Sequence, residues 1–349
     1  MNKVSFAHWA LCGVALLWCG CAKKDAPREA VSADGSTEQV ERVQPAAAPS
    51  LAMANPTDVE TDVDTGAPGG VSDAARADTA EVAGDADDAS VLHMLQHEPI
   101  VKAAILSRRS LALKLSFKNG THAAFKPIRL DNETARYEAA FYRYAKLLGI
   151  PGVPPSTMRR LSFAQLERFV ARQNPELAER LKNELAVDRA GRVAGAVIQW
   201  VNDMQPSGLD EKDSILPELL SQPSAHPLSR AAVEMVVIDY TGSNWDRYTG
   251  GNLFVLDEGT KLVLLDNDNA FSRLSERQFE RLEDSVAALQ WIPSDLLAKI
   301  TALDAAQIAE AVACEDCDMT LLYSGEIERI LARRDLFLAQ KKSLQRQAP

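Results

Sequence analysis

From Ala22 to about residue 91 the chain carries almost no large apolar side chains, and this confines any folded domain to the residues beyond that stretch. A run of Ala, Asp, Pro, Ser, Thr and Gly cannot bury enough surface to offset the entropy lost on ordering it. Residues 22–91 are therefore expected to form a disordered, self-repelling tether. Fifteen acids and five bases lie between Ala22 and Ser90, which accounts for nearly all of the net charge of −11. The remainder is close to neutral, so no acidic domain surface is implied. No basic field for nucleic acid is present, and no nucleic-acid partner is expected.

Residues 1–21 read as an export signal. Lys3 supplies a weak positive start, and Trp9 to Trp18 form an apolar run too short to cross a bilayer comfortably. The run ends in Leu17-Trp18-Cys19-Gly20-Cys21, and a small residue before Cys resembles a bacterial lipobox. Trp18 departs from it, since lipoboxes usually carry Leu there. Lipidation at Cys21 is the favoured reading over a plain cleaved signal or an uncleaved anchor. The chain is then expected to be exported to the cell envelope and held to a membrane through its N-terminal lipid, or else secreted. Cys314 and Cys317 form a lone C-x-x-C with no second pair of Cys or His for zinc. A redox pair, a local disulfide and two solvent-side thiols all stay open for them.

From residue 92 to 349 the pattern is that of one folded domain. Leu111 to Lys118 alternates as a half-buried strand does, Asn119-Gly120 supplies a two-residue turn, and Thr121 to Ile128 returns as a second strand. Tyr137, Phe141, Tyr144 and Leu148 share one face of a helix that Gly149 closes. Amphipathic helices are expected at 161–173 and 175–186, and a buried strand at 194–201. Residues 205–228 read as loop with one short helix, and Arg230 to Tyr240 as a strongly apolar helix. A hairpin is expected from 252–256 and 261–265, and helices over 275–345. Strands with one helix, then helices around a polar loop and hairpin, point to an α+β fold with one catalytic unit. The order suits a two-lobed protein-kinase-like fold, with a small β-rich N-lobe and a larger helical C-lobe.

Two acidic clusters stand about twenty residues apart, and the expected hairpin between them would fold them toward each other. Asp246 lies in a loop after the apolar helix. Asp266 ends a buried strand, where a carboxylate is costly unless it meets a cation or donors. Phosphoryl transfer from ATP needs one carboxylate to orient the attacking hydroxyl and another to hold a bridging divalent metal. Oxygen ligands suit Mn²⁺ or Mg²⁺. Lys126, in Ala124-Phe-Lys-Pro127, is the candidate phosphate-binding cation, and Glu138 on the next helix is placed to hold it. Each residue alone has a plainer reading. Asp246-Arg247 is a surface ion pair, Asp266-Asn-Asp-Asn269 is turn chemistry, and Lys126 and Glu138 are solvated.

Together, Phe125-Lys126-Pro127, Glu138-Ala-Ala-Phe141, Asp239-Tyr to Asp246-Arg247, and Leu265-Asp266-Asn267 resemble, in that order, the secretory-pathway kinases of the Golgi casein kinase and four-jointed type. The resemblance covers roughly 111–275. It implies that Lys126 binds phosphate, that Glu138 is its partner, that Asp246 is catalytic and that Asp266 binds metal. Gln199 to Val201 would correspond to the hinge lining the adenine, and Asn252 to a second metal ligand. Asn252 follows Asp246 by six residues rather than the usual five, and Tyr248 stands where many relatives have His. No G-x-G-x-x-G loop or G-x-x-x-x-G-K-[ST] P-loop is present, which counts against ordinary protein kinases and P-loop enzymes.

The expected activity is transfer of the ATP γ-phosphoryl group to a hydroxyl of a protein Ser/Thr or of a glycan, and nothing in the sequence chooses between these acceptors. An exported bacterial protein meets little ATP. That tension motivates a catalytically inactive kinase-fold module that binds nucleotide or a partner, or a nucleotidyl transferase, as alternatives. Four polar residues in order argue against simple decay.

Overall fold

Alternation of apolar and polar residues places the central strands of the N-terminal lobe, and the buried strands pair as it requires. The computed structural model describes residues 83–342, apart from 212, 249, 250, 315, 316 and 318. The signal segment with Cys21, and the tether as far as residue 82, lie outside the described residues. A first helix, α1 (Ala83–His97), begins inside the stretch expected to be tether and buries Leu95.

Five antiparallel strands come next: β1 (Ile100–Ile105), β2 (Leu113–Phe117), β3 (His122–Pro127), β4 (Ser156–Ser162) and β5 (Arg192–Gln199), ordered β1-β2-β3-β5-β4. The two-fold side-chain period splits the sheet between two cores. Ala123, Phe125, Val193 and Val197 face one cluster with Leu95, Leu166 and Leu181. Ala124, Met158, Ala196 and Ile198 face the other. Helix α2 (Arg136–Leu148) packs on that second face through Phe141 and Tyr144, and α3 (Phe163–Ala171) and α4 (Pro175–Glu184) belong to the first. Gly149 closes α2 at φ 69° and donates its N–H to Ala145 and Lys146 carbonyls, a left-handed cap that suits glycine.

Three expectations change. The Asn119-Gly120 turn is a three-residue loop, because only Gly120 takes positive φ, and a two-residue type I′ turn needs it at both positions. The helix expected from 161 starts at Phe163, since Leu161 and Ser162 complete β4. Strands β1 and β4 add to those the sequence pattern predicts.

After residue 204 come β6 (Gln205–Pro206), α5 (Leu216–Ser221), α6 (Ser229–Thr241), β7 (Leu253–Leu256), a 3₁₀ turn, β8 (Lys261–Leu264), α7 (Glu276–Ala288), α8 (Ser294–Ala302), α9 (Ala305–Ala311) and α10 (Ser324–Gln340). Helix α6 is buried along almost all its length, its acids Glu234 and Asp239 each paired with an arginine, and forms the centre of this lobe. The small sheet β6-β7-β8 carries the acidic loops at its ends. Cys314 and Cys317 form a disulfide. Among the described residues no helix is long and apolar enough to cross a membrane. The architecture is the expected α+β two-lobed fold.

Candidate active site

Lys126 lies on β3 on the face opposite buried Phe125, so strand alternation turns its side chain into the cleft between the lobes. Glu138, in the first turn of α2, reaches it, with Nζ to Oε1 at 2.6 Å. From the other lobe, Asp266 Oδ1 accepts from the same ammonium and Asp268 Oδ2 stands at 3.2 Å. Three carboxylates from two lobes thus converge on one lysine.

The loop after β8 divides its work by residue. Asp266 takes left-handed backbone at φ 56°, a conformation Asp tolerates better than most, and it reverses the chain at the strand's end. Asp266 and Asp268 point toward Lys126. Asn267 turns the other way, donating its backbone N–H to Glu138 Oε1 at 2.9 Å and its amide to Glu138 Oε2 at 3.4 Å. Asn269 donates to Asp246 Oδ2 at 2.9 Å. One tetrapeptide therefore touches the lysine, its glutamate and the candidate catalytic aspartate.

Arg247 explains how the loop bearing Asp246 is held. It is 1% exposed, and its donors are all engaged. It makes a bidentate pair with Asp239 of α6 at 2.9 and 3.0 Å and donates to Asn267 Oδ1 at 2.6 Å. Its remaining donors go to the Leu265 and Asn252 carbonyls at 2.7 and 3.3 Å. Planar guanidinium geometry suits such a fork. Arg247 is thus a structural clasp between the Asp246 loop and the Asp266 loop.

Burial pulls the Lys126 ammonium down, but Asp266, Asp268 and Glu138 outweigh it and hold the lysine protonated well above its usual range. Burial also opposes ionisation of Asp266, and Lys126 overcomes it, so that carboxyl lies below its ordinary value. Asp268 goes the other way. Burial, then the Asp266 and Glu138 charges, prevail over the pull of Lys126 and push it up to about 7. When all three carboxyls are ionised they exceed the one ammonium by two negative charges, which a divalent cation would neutralise. Ligand oxygens of Glu138, Asp266 and Asp268 lie within 4.8 Å of one another, and an all-oxygen set fits Mn²⁺ or Mg²⁺.

The cavity over this cluster has a volume of about 240 Å³. Ile105, Ala124, Ile198 and Leu264 form an apolar wall, and Lys126, Glu138, Asn252, Asp266 and Asn267 a polar end. Of the residues singled out in the sequence, Lys126, Glu138 and Asp266 meet directly. Asp246 joins them through Asn269. Asn252 lines the cavity and donates an amide N–H to the Asp246 carbonyl at 3.0 Å. Gln199 and Val201 do not line it. Alternation turns Ile198 into the cleft instead, and the Gln199 N–H goes to the Pro155 carbonyl at 2.9 Å. Val201 borders a separate, larger cavity beside the Pro151–Pro155 stretch.

Sequence reasoning missed Asp268, Asn267, Asn269 and the Asp239–Arg247 pair. Asp239 carried a signal as an acid inside an apolar helical run, and Arg247 and Asn267 stand in the motifs that carry the resemblance, although no role was assigned to any of the three. No protein-family model matches the chain, and no curated protein matches it in sequence. In fold it is similar to the Golgi casein kinase. One crystal structure of that enzyme matches with a TM-score of 0.57 at 13% identity, over 76% of this chain and 76% of that one. A second, with Mn and ADP bound, matches with a TM-score of 0.54 at 14% identity, over 74% of this chain and 76% of that one. The chain therefore shares the two-lobed architecture of a kinase, at a sequence distance where likeness speaks for the fold alone.

Proposed function

We propose that the chain is a phosphotransferase moving the γ-phosphoryl group of ATP to a hydroxyl of a protein or glycan acceptor. One observation carries the reading: Glu138, Asp266 and Asp268 converge on Lys126 at a cleft cavity lined by Lys126, Glu138 and Asp266, and Asn269 links Asp246 to the same loop. The kinase-like fold and the Mn and ADP bound in a similar structure support it.

Glu138, Asp266 and Asp268 would hold Mn²⁺ or Mg²⁺. Such a cation neutralises charge developing on the phosphates. Lys126 binds phosphate oxygens, and Glu138 fixes its position. The apolar wall of Ile105, Ala124 and Ile198 takes the base. Asp246, oriented by Asn269, accepts the hydroxyl proton as the acceptor oxygen bonds to the γ-phosphorus. The bond to the bridging oxygen breaks, and ADP leaves with its electron pair. Export and lipid anchoring at Cys21 are part of the same proposal.

The test traces labelled γ-phosphate from ATP with Mn²⁺ or Mg²⁺ into a casein-like protein and a panel of sugars. It uses the full chain beside Asp246→Asn and Asp266→Asn. Metal-dependent transfer, reduced at least a hundredfold in both variants, is the expected result. Stabilisation by ATP and metal without transfer would replace this reading with a nucleotide-binding module. Neither transfer nor binding would leave a kinase fold put to another use.

A further inference from the structure

The phosphoryl-transfer reading requires Glu138 and the Asp266–Asp268 loop to be held together across the cleft, and the C-terminal helix α10 touches the supports of both. Arg136, two residues before Glu138, stands at the start of α2 and is 3% exposed. Its guanidinium makes a bidentate pair with Glu326 of α10, at 2.6 and 2.8 Å, and donates to the Leu321 carbonyl. The Tyr137 hydroxyl adds a third bond to Glu326 at 2.5 Å. Arg136 also lies 4.5 Å from the ring centroids of Tyr137 and of Tyr323, just before α10. Glu326 is fixed in turn by the Tyr323 N–H at 2.7 Å.

One turn further along α10, Arg329 donates to the Phe271 carbonyl at 3.0 Å. Phe271 ends the metal-binding loop. Its N–H bonds to the Gly242 carbonyl, and its ring packs on Tyr137, Phe141 and Tyr144 of α2, with centroids 5.7 to 6.0 Å apart. One helix therefore holds the start of α2 through Glu326 and the end of the metal loop through Arg329.

We infer that α10 is a brace, and that Arg136, Glu326 and Arg329 are positioning residues which keep the Lys126–Glu138–Asp266 arrangement assembled. In kinases the lysine–glutamate pair and the metal-binding aspartate must both be in place for transfer, and helix position commonly controls this. Here buried contacts within the chain supply that control. This inference rests on the phosphoryl-transfer reading for its consequence, while the brace itself is open to a measurement that needs no activity.

The experiment compares full-length wild type with Glu326→Gln, Arg136→Lys and Arg329→Gln. Amide hydrogen exchange is read without metal, Mn²⁺ affinity by titration of the metal alone, and kinetics with ATP. Glu326→Gln is expected to speed exchange in α2 about tenfold with α6 unchanged, and to weaken Mn²⁺ binding about tenfold. Arg136→Lys, which keeps the charge, should restore part of both relative to Glu326→Gln. Arg329→Gln, on a partly exposed residue, covers the case in which Glu326→Gln fails to fold, and should weaken Mn²⁺ binding with α2 less affected. Unchanged α2 exchange and Mn²⁺ affinity in both Glu326→Gln and Arg329→Gln would overturn the brace. So would equal loosening of α2 and α6, which marks general destabilisation. If wild type neither binds Mn²⁺ nor transfers phosphate, the functional reading fails whatever α2 exchange shows.

Discussion

Asn269 is the residue whose role the sequence hid most completely. In an Asp-Asn-Asp-Asn run each residue looks like turn chemistry, yet Asn269 reaches Asp246, at 2.9 Å. Its neighbours divide by direction, Asp266 and Asp268 toward Lys126 and Asn267 toward Glu138 and Arg247. Lys126, Glu138 and Asp266 were legible because each sits in a distinct context: a strand, a helix start and a strand end. Asp268 and Asn269 had no such context, since their roles depend on where a left-handed turn at Asp266 sends the chain. Asn269→Ala removes one hydrogen bond to an otherwise intact carboxylate. We expect kcat to fall about tenfold or more, because orientation of the base matters mainly in the transition state, with KM for ATP within about twofold. Steady-state kinetics beside Asp246→Asn checks this. A raised KM with unchanged kcat would place Asn269 in ground-state binding instead.

Elements are legible at the centre of the sheet and obscure at its margins, for a physical reason. Strands β2, β3 and β5 are interior, and burial imposes a clear pattern on them. The missed strands β1 and β4 are its two edges, where Val101, Lys102, Arg159 and Arg160 are at least partly exposed and blur the alternation. Helix α10 is expected from its sequence, but its buried Glu326 could not be paired with Arg136, 190 residues away, from periodicity alone. That pair has a consequence for stability. Burial opposes ionisation of Glu326, but its bonds to Arg136, Tyr137 and Tyr323 prevail and hold its carboxyl below the ordinary value. A depressed carboxylate stabilises the fold above its unfolded pKa, about 4.3, and that contribution is lost as pH falls through the lower folded value. Glu326→Gln should therefore cost about 3 kcal/mol near neutral pH, where it leaves buried Arg136 with the exposed Glu133, at 3.4 Å, in place of its buried bidentate counter-charge. The difference from wild type should shrink as pH falls below about 4. Urea unfolding of both proteins across that range measures it, and a pH-independent difference would mean that packing, not charge, is what Glu326 supplies.

At the scale of the whole molecule, the sequence conveyed lobe order because strand-rich and helix-rich halves differ in period. It could not convey that the two lobes meet as three carboxylates around one ammonium. Glu138 belongs to the first lobe, and Asp266 and Asp268 to the second, so a cation bound by all three ties the lobes together. Binding only to the folded state stabilises it by about 2.7 kcal/mol at a hundredfold excess over Kd. The size of that effect should depend on pH. With Asp268 pushed up to about 7 by burial and its carboxylate neighbours, the metal-free protein holds a proton there at pH 6 and has largely lost it at pH 8. A raised carboxylate favours the metal-free fold at low pH, and this advantage disappears as pH rises through about 7. A cation reverses the preference, because ligation requires the ionised form. The rise in Tm caused by Mn²⁺ should therefore be larger at pH 8 than at pH 6, and Asp268→Asn should flatten this dependence while lowering the rise at both. Thermal melts with and without Mn²⁺ at the two pH values decide it. Equal shifts in wild type would mean that the cation is held by Glu138 and Asp266 without Asp268, and that the second acid of the loop serves Lys126 alone.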